Sequence, residues 1–320
     1  MIYIILFLLS FVLTYFIKEY AIKKSLVATI NERSSHTVPT PHVGGIAIAI
    51  TWFVGLIYLY LNEQIEPSLF FALIIGAAIA IVGLADDIVE LSPKTRMIVF
   101  SLVAVIGIFI IGGFKSISFG IFSIENQIIT NIFALLLVLW YINLTNFIDG
   151  INGYLGTKFL FLSVAGFLLF DGTHFIVLGV AVLGFLYWNF GKAKIFMGDV
   201  GSTLLGYTIA IITIYYANIE TSNLWIWVTL YGVFWFDATF TLIRRKLNGE
   251  ELSQAHKKHA YQRLAQSGWS HSKVTLYALG LNIVLFSLVY FIPNIAVSFA
   301  LSIALLYGAM KFVDGKKKFE

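Results

Sequence analysis

Apolar runs long enough to cross a bilayer as helices fill most of this chain, which confines it to an all-α polytopic membrane fold. Of its 320 residues 59% are hydrophobic and the mean hydropathy is +0.88, values that exclude a soluble globular domain. The pattern predicts about eleven helical spans, near residues 1–17, 43–61, 68–85, 97–113, 128–147, 153–170, 174–190, 202–218, 224–243, 273–292 and 295–312. Breakers separate them at Asn62 to Pro67, Gly112-Gly113, Asp171-Gly172 and Pro293-Asn294. The first run, Met1 to Ile17, has neither a charged n-region nor a small-residue cleavage site, so it reads as a retained span. Residues 1–320 read as one membrane domain without internal repeats, its one sizeable soluble part a loop at about 244–272.

There is no cysteine, hence no disulfide and no thiolate ligand or nucleophile. The pI near 9.0 does not mark a nucleic-acid binder, because the basic residues are dispersed over short loops. Placed on the predicted spans, 20 of the 21 Lys and Arg fall on one face, Lys158 counted in a loop there and Lys115 alone on the other. The positive-inside rule then sets the N-terminus outside and the tail Lys316-Lys317-Lys318 in the cytoplasm.

That orientation gathers three acidic motifs at the cytoplasmic face, where carboxylates at a membrane boundary are costly and suggest a cation-dependent site. Asp86-Asp87 ends the third span, at a helix C-terminus whose dipole disfavours negative charge, so Mg²⁺ or a basic neighbour would stabilise the pair. Lys94 and Arg96 follow in the same loop and suit phosphate oxygens. A solvated helix end would also produce such a pair. The segment Asn143 to Gly153 (NLTNFIDGING) places Asn143, Asn146 and Asp149 three apart, on one face if helix continues through them. Phe196 to Ser202 (FMGDVGS) precedes the eighth span, whose glycine-flanked N-terminus suits phosphate and whose Asp199 suits Mg²⁺. Phe196 is either a stacking platform for a base or a plain interfacial aromatic, and Asn189 lies on the approach to this loop. His259 and Arg263, four apart, share a face in a helix and could reach an anionic ligand. His36 lies in the first cytoplasmic loop, ahead of Pro39, Pro41 and Gly44-Gly45.

In this order, Arg33 to Gly45, Asp86-Asp87, Asn143 to Gly150, Asn189, Phe196 to Ser202 and the His259 loop resemble the polyprenyl-phosphate N-acetylhexosamine-1-phosphate transferases, the superfamily of MraY and WecA. The stretch His259 to Leu264 (HAYQRL) looks most like the WbpL-type branch, which starts O-antigen or related glycan assembly. The resemblance implies an MraY-like helical bundle in the bacterial inner membrane. It implies transfer of a sugar 1-phosphate from a UDP-sugar to undecaprenyl phosphate, with release of UMP and with Mg²⁺ (or Mn²⁺ in its place) as cofactor. Asp199 and Asp87 would hold the metal, and Asp86, Asp87 and Asp149 would form the catalytic centre, Asp86 deprotonating or orienting the nucleophile. Asn143, Asn189, Phe196, His259, Arg263, Lys94 and His36 would contact the substrates. UDP-GlcNAc, UDP-QuiNAc and UDP-FucNAc are the expected donors, the branch tilting toward the deoxy sugars, and a homodimer is among the expected assemblies. Asn146 stands where the MraY branch has an Asp and Asn152 where WecA-like members have a second Asp, and the His-rich tract of both is reduced to His259.

Two rivals belong to other classes. An ion-coupled transporter predicts acids near mid-membrane and interrupted helices. A CDP-alcohol phosphotransferase predicts a run of acids on two consecutive helical turns, which is missing.

Overall fold

The computed structural model describes residues 1–24, 26, 39–120, 122–252, 254 and 256–319; His36 and Arg33 lie outside them. In chain order the helices are α1 (Ile2–Lys23), α2 (Gly45–Leu61), α3 (Pro67–Ile74), α4 (Ala77–Val89), α5 (Pro93–Ile110), α6 (Gln127–Ile148), α7 (Tyr154–Phe170), α8 (Thr173–Asn189), α9 (Gly198–Ile219), α10 (Ser222–Leu230), α11 (Gly232–Leu247), α12 (Ala260–Gln266), α13 (His271–Phe291) and α14 (Ile295–Lys316). Their starts follow local chemistry. Glu66, Ser92 and Asn126 accept first-turn N–H groups of α3, α5 and α6, and Pro67 and Pro93 stand where a helix needs no N–H. Asn294 caps α14 directly after Pro293.

Each expected segment coincides with a helix or a broken pair. By length and composition seven helical segments can cross a membrane, α3 and α4 counting as one, and α10 with α11 makes an eighth if their 75° bend lies within a single span. The remaining three, α2, α7 and α8, have 17 residues each, at the short end of what crosses a bilayer. The all-helical expectation misses a small antiparallel hairpin of β1 (Ile117–Ser118) with β2 (Ser123–Ile124). The loop expected at 244–272 is shorter, because α11 runs on to Leu247 and α12 and α13 fill its far half.

Lys158 corrects another expectation. It is a buried residue of α7, and its Nζ donates to the Leu230 carbonyl and to Asn282 Oδ1, each at 2.5 Å. The break after α10 frees that carbonyl, and the buried Lys158 amine satisfies it.

The centre of the bundle is α9, almost wholly buried, whereas few residues of α1 are buried. Lipid tails offer no hydrophobic drive for helices to associate, so close approach through small residues does that work. A side chain at Gly45 of α2 would overlap the backbone of Gly201 on α9, and a Cβ at Gly83 of α4 would lie 2.6 Å from the Asp199 carbonyl oxygen. Gly83→Ala is therefore expected to lower the thermal midpoint in detergent by the equivalent of about 1–3 kcal/mol, the usual cost of overpacking. Gly280→Ala, where a Cβ meets nothing within 4 Å, should leave it unchanged or raised.

Candidate active site

The end of α4 and the start of α9 are joined by one carboxylate. Asp87 Oδ1 accepts the Asp199 N–H at 2.9 Å and its Oδ2 the Val200 N–H at 3.2 Å. The helix therefore starts at Gly198, four residues before the expected span, with Asp199 in its first turn. Gly198 has φ +75° and sits so close that a Cβ would be 2.6 Å from Asp87 Oδ2, so glycine is required there on both counts. The helix start expected to take a phosphate takes an internal carboxylate instead. His42 Nε2, 3.0 Å from the Asp87 carbonyl oxygen, secures the same turn.

Asp86, the next residue back, faces another way. Its Oδ1 accepts the Leu91 N–H at 2.7 Å and its Oδ2 contacts Arg96 Nη1. That same Nη1 donates to Asp199 Oδ2 at 3.0 Å, and the Asp86 and Asp199 carboxylates are also within hydrogen-bond reach of each other. The other Asp199 oxygen accepts Asn146 Nδ2 at 2.7 Å, and Asn146 also reaches Ser202 Oγ at 3.1 Å. Asp149 caps the C-terminus of α6 beside this group. Burial first, then the charges of Asp199 and Asp87, push its carboxyl up to about 7.

Other expected residues brace the loops around this centre. Asn189 accepts the Gly153 N–H at 2.8 Å and donates to the Ile195 carbonyl at 2.9 Å, tying the turn after Asp149 to the loop before α9. Asn152 donates to the Gly191 carbonyl at 2.7 Å. The Phe196 N–H donates to the Pro41 carbonyl at 2.8 Å, and its own carbonyl accepts the Gly44 N–H at 2.9 Å, fastening the start of α2 to the same loop. Asn143 turns its amide onto the Leu139 carbonyl of its own helix at 2.7 Å. Lys94 is exposed on the first turn of α5. His259 lies against Asp237 of α11, while Arg263 is held by Asp314 of α14 at 2.6 Å and by the Lys317 carbonyl.

The structure thus brings Asp86, Asp87, Asp149 and Asp199 together and adds Asn146, Arg96 and His42 to them. Arg96 carried a signal, a cation in the loop after an acid pair, but its helical position, which turns it inward while Lys94 faces out, needs the start of α5. His42 carried none beyond its place before Gly44-Gly45. Among the described residues no three acids or imidazoles close a cage that could hold a metal on their own. The metal-binding atoms that converge are the carboxylate oxygens of Asp86 and Asp199, which share Arg96 Nη1, with Asn146 Nδ2 donating to Asp199. That set suits a hard cation bound through one or two carboxylates and completed by substrate phosphates.

Residues 69–217 match the family model for glycosyl transferase family 4. The chain is 32% identical over 294 residues to a probable undecaprenyl-phosphate N-acetylglucosaminyl 1-phosphate transferase of Bacillus subtilis, covering 87% of this chain and 81% of that protein. It is 27% identical over 317 residues to a decaprenyl-phosphate N-acetylglucosaminephosphotransferase of Mycobacterium tuberculosis, covering 83% and 76%. An undecaprenyl-phosphate alpha-N-acetylglucosaminyl 1-phosphate transferase of Salmonella typhi is 30% identical over 220 residues, 64% of this chain and 59% of that protein.

The raised Asp149 carboxyl sets a pH test. The folded state binds this proton more tightly than the unfolded chain, so wild-type stability falls as pH rises from 3.8 to about 7 and levels off above. Asp149→Asn lacks that titration. With divalent cations chelated, its thermal midpoint relative to wild type should climb across this window and then stay constant; a difference independent of pH would contradict the assignment.

Proposed function

The chain belongs to glycosyl transferase family 4, the polyprenyl-phosphate N-acetylhexosamine-1-phosphate transferases, and on that premise we propose that it moves N-acetylglucosamine 1-phosphate from UDP-GlcNAc to undecaprenyl phosphate. The observation that carries the reading is the convergence of Asp86 and Asp199, from two helix ends, on one guanidinium nitrogen, with Asn146 bound to Asp199. In the reaction an oxygen of the lipid phosphate forms a bond to the sugar-bearing phosphorus. The bond from that phosphorus to the bridging oxygen breaks, and UMP leaves with the electron pair. Such a transfer is mainly positioning and charge neutralisation.

Magnesium, with manganese as substitute, would be held by Asp199 and Asp86 and would neutralise charge on the diphosphate oxygens. Asp86 is a better partner to Asp199 than the Asp87 expected from sequence, because it shares Arg96 Nη1 with Asp199, whereas both Asp87 oxygens face the backbone at the start of α9. Asp87 instead holds the start of α9. Arg96 provides the fixed cation beside the carboxylates and a fork of donors for phosphate oxygens. Asp149, titrating near neutrality, is placed to take or hold the proton of the lipid phosphate, a task for which Asp86 is less free. Asn189 and Phe196 brace the loop before α9.

The relatives compared above are named for N-acetylglucosamine, which favours UDP-GlcNAc over UDP-QuiNAc or UDP-FucNAc as donor. The excess of Lys and Arg on one side supports an outside N-terminus and a site at the cytoplasmic face of a bacterial inner membrane. There a soluble nucleotide sugar meets a lipid phosphate, and the product begins a cell-envelope polysaccharide. The bend between α10 and α11 is a feature a transporter would share, but the acids gather at helix ends, as a surface transferase requires.

The test is UMP release by purified protein given undecaprenyl phosphate, Mg²⁺ and a panel of UDP-sugars. UDP-GlcNAc should give the fastest release. Silence with every donor would overturn the reaction, and faster release from a deoxy sugar would overturn the donor.

A further inference from the structure

One edge of the bundle carries a charged face that the transferase reading leaves unassigned. Helices α13 and α14 are both long and apolar enough to cross a membrane, and few residues of either are buried. Trp269, just before α13, touches Phe312, near the end of α14, so the two run antiparallel and these ends meet the same bilayer boundary. Tyr277 completes an aromatic trio there, with ring centroids between 5.6 and 6.0 Å apart. Two exposed lysines stand over it, one from each helix. Lys273 Nζ is 4.2 Å from the Trp269 ring centroid and Lys316 Nζ is 5.4 Å from that of Phe312.

The protein itself does not neutralise these charges. Lys273, Lys311 and Lys316 of the two helices are matched by a single acid, Asp314, and it is spent on Arg244 at 2.8 Å and Arg263 at 2.6 Å. Among the described residues neither Lys273 nor Lys316 forms an ion pair with a carboxylate. Lys316 complements the dipole at the end of its own helix, but Lys273 lies in the first turn of α13, where the dipole opposes a cation. Below Lys273 the same helical face continues through Leu276, Gly280 and Val284, spaced as one stripe. Leu276 and Val284 are exposed, and a Cβ at Gly280 would meet nothing within 4 Å, so the stripe is apolar and open.

Cations at the boundary above an apolar stripe match a lipid with an anionic headgroup. A net-negative phosphodiester gains from both lysines, whereas a zwitterionic headgroup brings a cation of its own toward them. We infer that this face binds an anionic phospholipid of the phosphatidylglycerol type, its phosphate at Lys273 and Lys316 and an acyl chain along Leu276, Gly280 and Val284. The aromatic trio is the platform that holds the two ammonium groups at headgroup level. The inference needs no turnover and stands apart from the transferase reading.

The test reads lipid contact at Trp269. Purified protein is reconstituted in phosphatidylcholine bilayers in which a minor fraction of lipid has brominated acyl chains, under a phosphatidylglycerol or a phosphatidylcholine headgroup. Bromine quenches indole fluorescence on contact, and subtracting the Trp269→Phe variant isolates this residue among the seven tryptophans. Brominated phosphatidylglycerol should quench as though enriched about 5-fold or more over phosphatidylcholine, roughly the factor one lysine contributes at an anionic headgroup. The enrichment should shrink toward unity in about 1 M salt and in the double variant Lys273→Gln, Lys316→Gln, and persist in Lys273→Arg, Lys316→Arg. Equal quenching by both lipids in wild type, or an enrichment that the glutamine variant retains, would overturn the inference. Should that variant not fold, salt decides, because a wild-type enrichment unchanged at about 1 M would also overturn it. Unlabelled undecaprenyl phosphate serves as competitor. Relief of quenching at a fraction well below that needed with unlabelled phosphatidylglycerol would assign the face to the polyprenyl lipid and overturn it for the phospholipid.

Discussion

The Asp87 carboxylate on the first N–H groups of α9 is the contact from which the remainder of the site is set out. A carboxylate at the C-terminal end of α4 opposes its own helix dipole, and the N-terminus of α9 supplies the opposite end of another. The two helices stabilise each other's worst feature. Since α9 is the buried axis of the bundle, fixing its start fixes Asp199 in a rigid frame. Adjacent residues on a helix point apart, so once Asp87 is committed to α9, Asp86 is free to face Arg96 and Asp199. The sequence pair Asp-Asp is thus two different tools.

Around this joint the chain spends its amides and backbone on holding loops. Asn189 and Asn152 bind carbonyls and N–H groups of the segments flanking Gly153 and Gly191, and the strand-like pairing of Pro41 to Gly44 with Phe196 closes the ring. The column of His259, Tyr261 and Tyr154 extends the same support to the loop that follows α11. A site for phosphoryl transfer gains most from such pre-organisation, because stabilising transferred charge demands fixed geometry more than covalent chemistry.

Much of this was legible in the sequence. Apolar period and breakers located the helical segments, and the three acidic motifs did meet. What stayed hidden was decided by tertiary contacts. Spacing puts Asn143, Asn146 and Asp149 on one face, yet only rotamer and neighbour decide that Asn146 reaches Asp199 while Asn143 folds back onto its own carbonyl. A glycine-flanked helix start reads as a phosphate site, and no local pattern announces that Asp87, 112 residues earlier, fills it. Lys158 reads as a loop charge because the carbonyl it satisfies lies at a break 72 residues away. Asp237, inside an apolar-aromatic helix, gave no motif at all. At Asn146 an amide donor satisfies the Asp199 carboxylate without adding charge.

The central claim is that Asp199, placed by Asp87 and paired with Asp86, holds the cation on which transfer depends. Its most direct measurement is UMP release by Asp199→Asn over a magnesium titration, with wild type alongside. The account predicts a loss of about 100-fold or more that rising magnesium does not restore, at unchanged thermal midpoint. Activity close to wild type anywhere along that titration would contradict it.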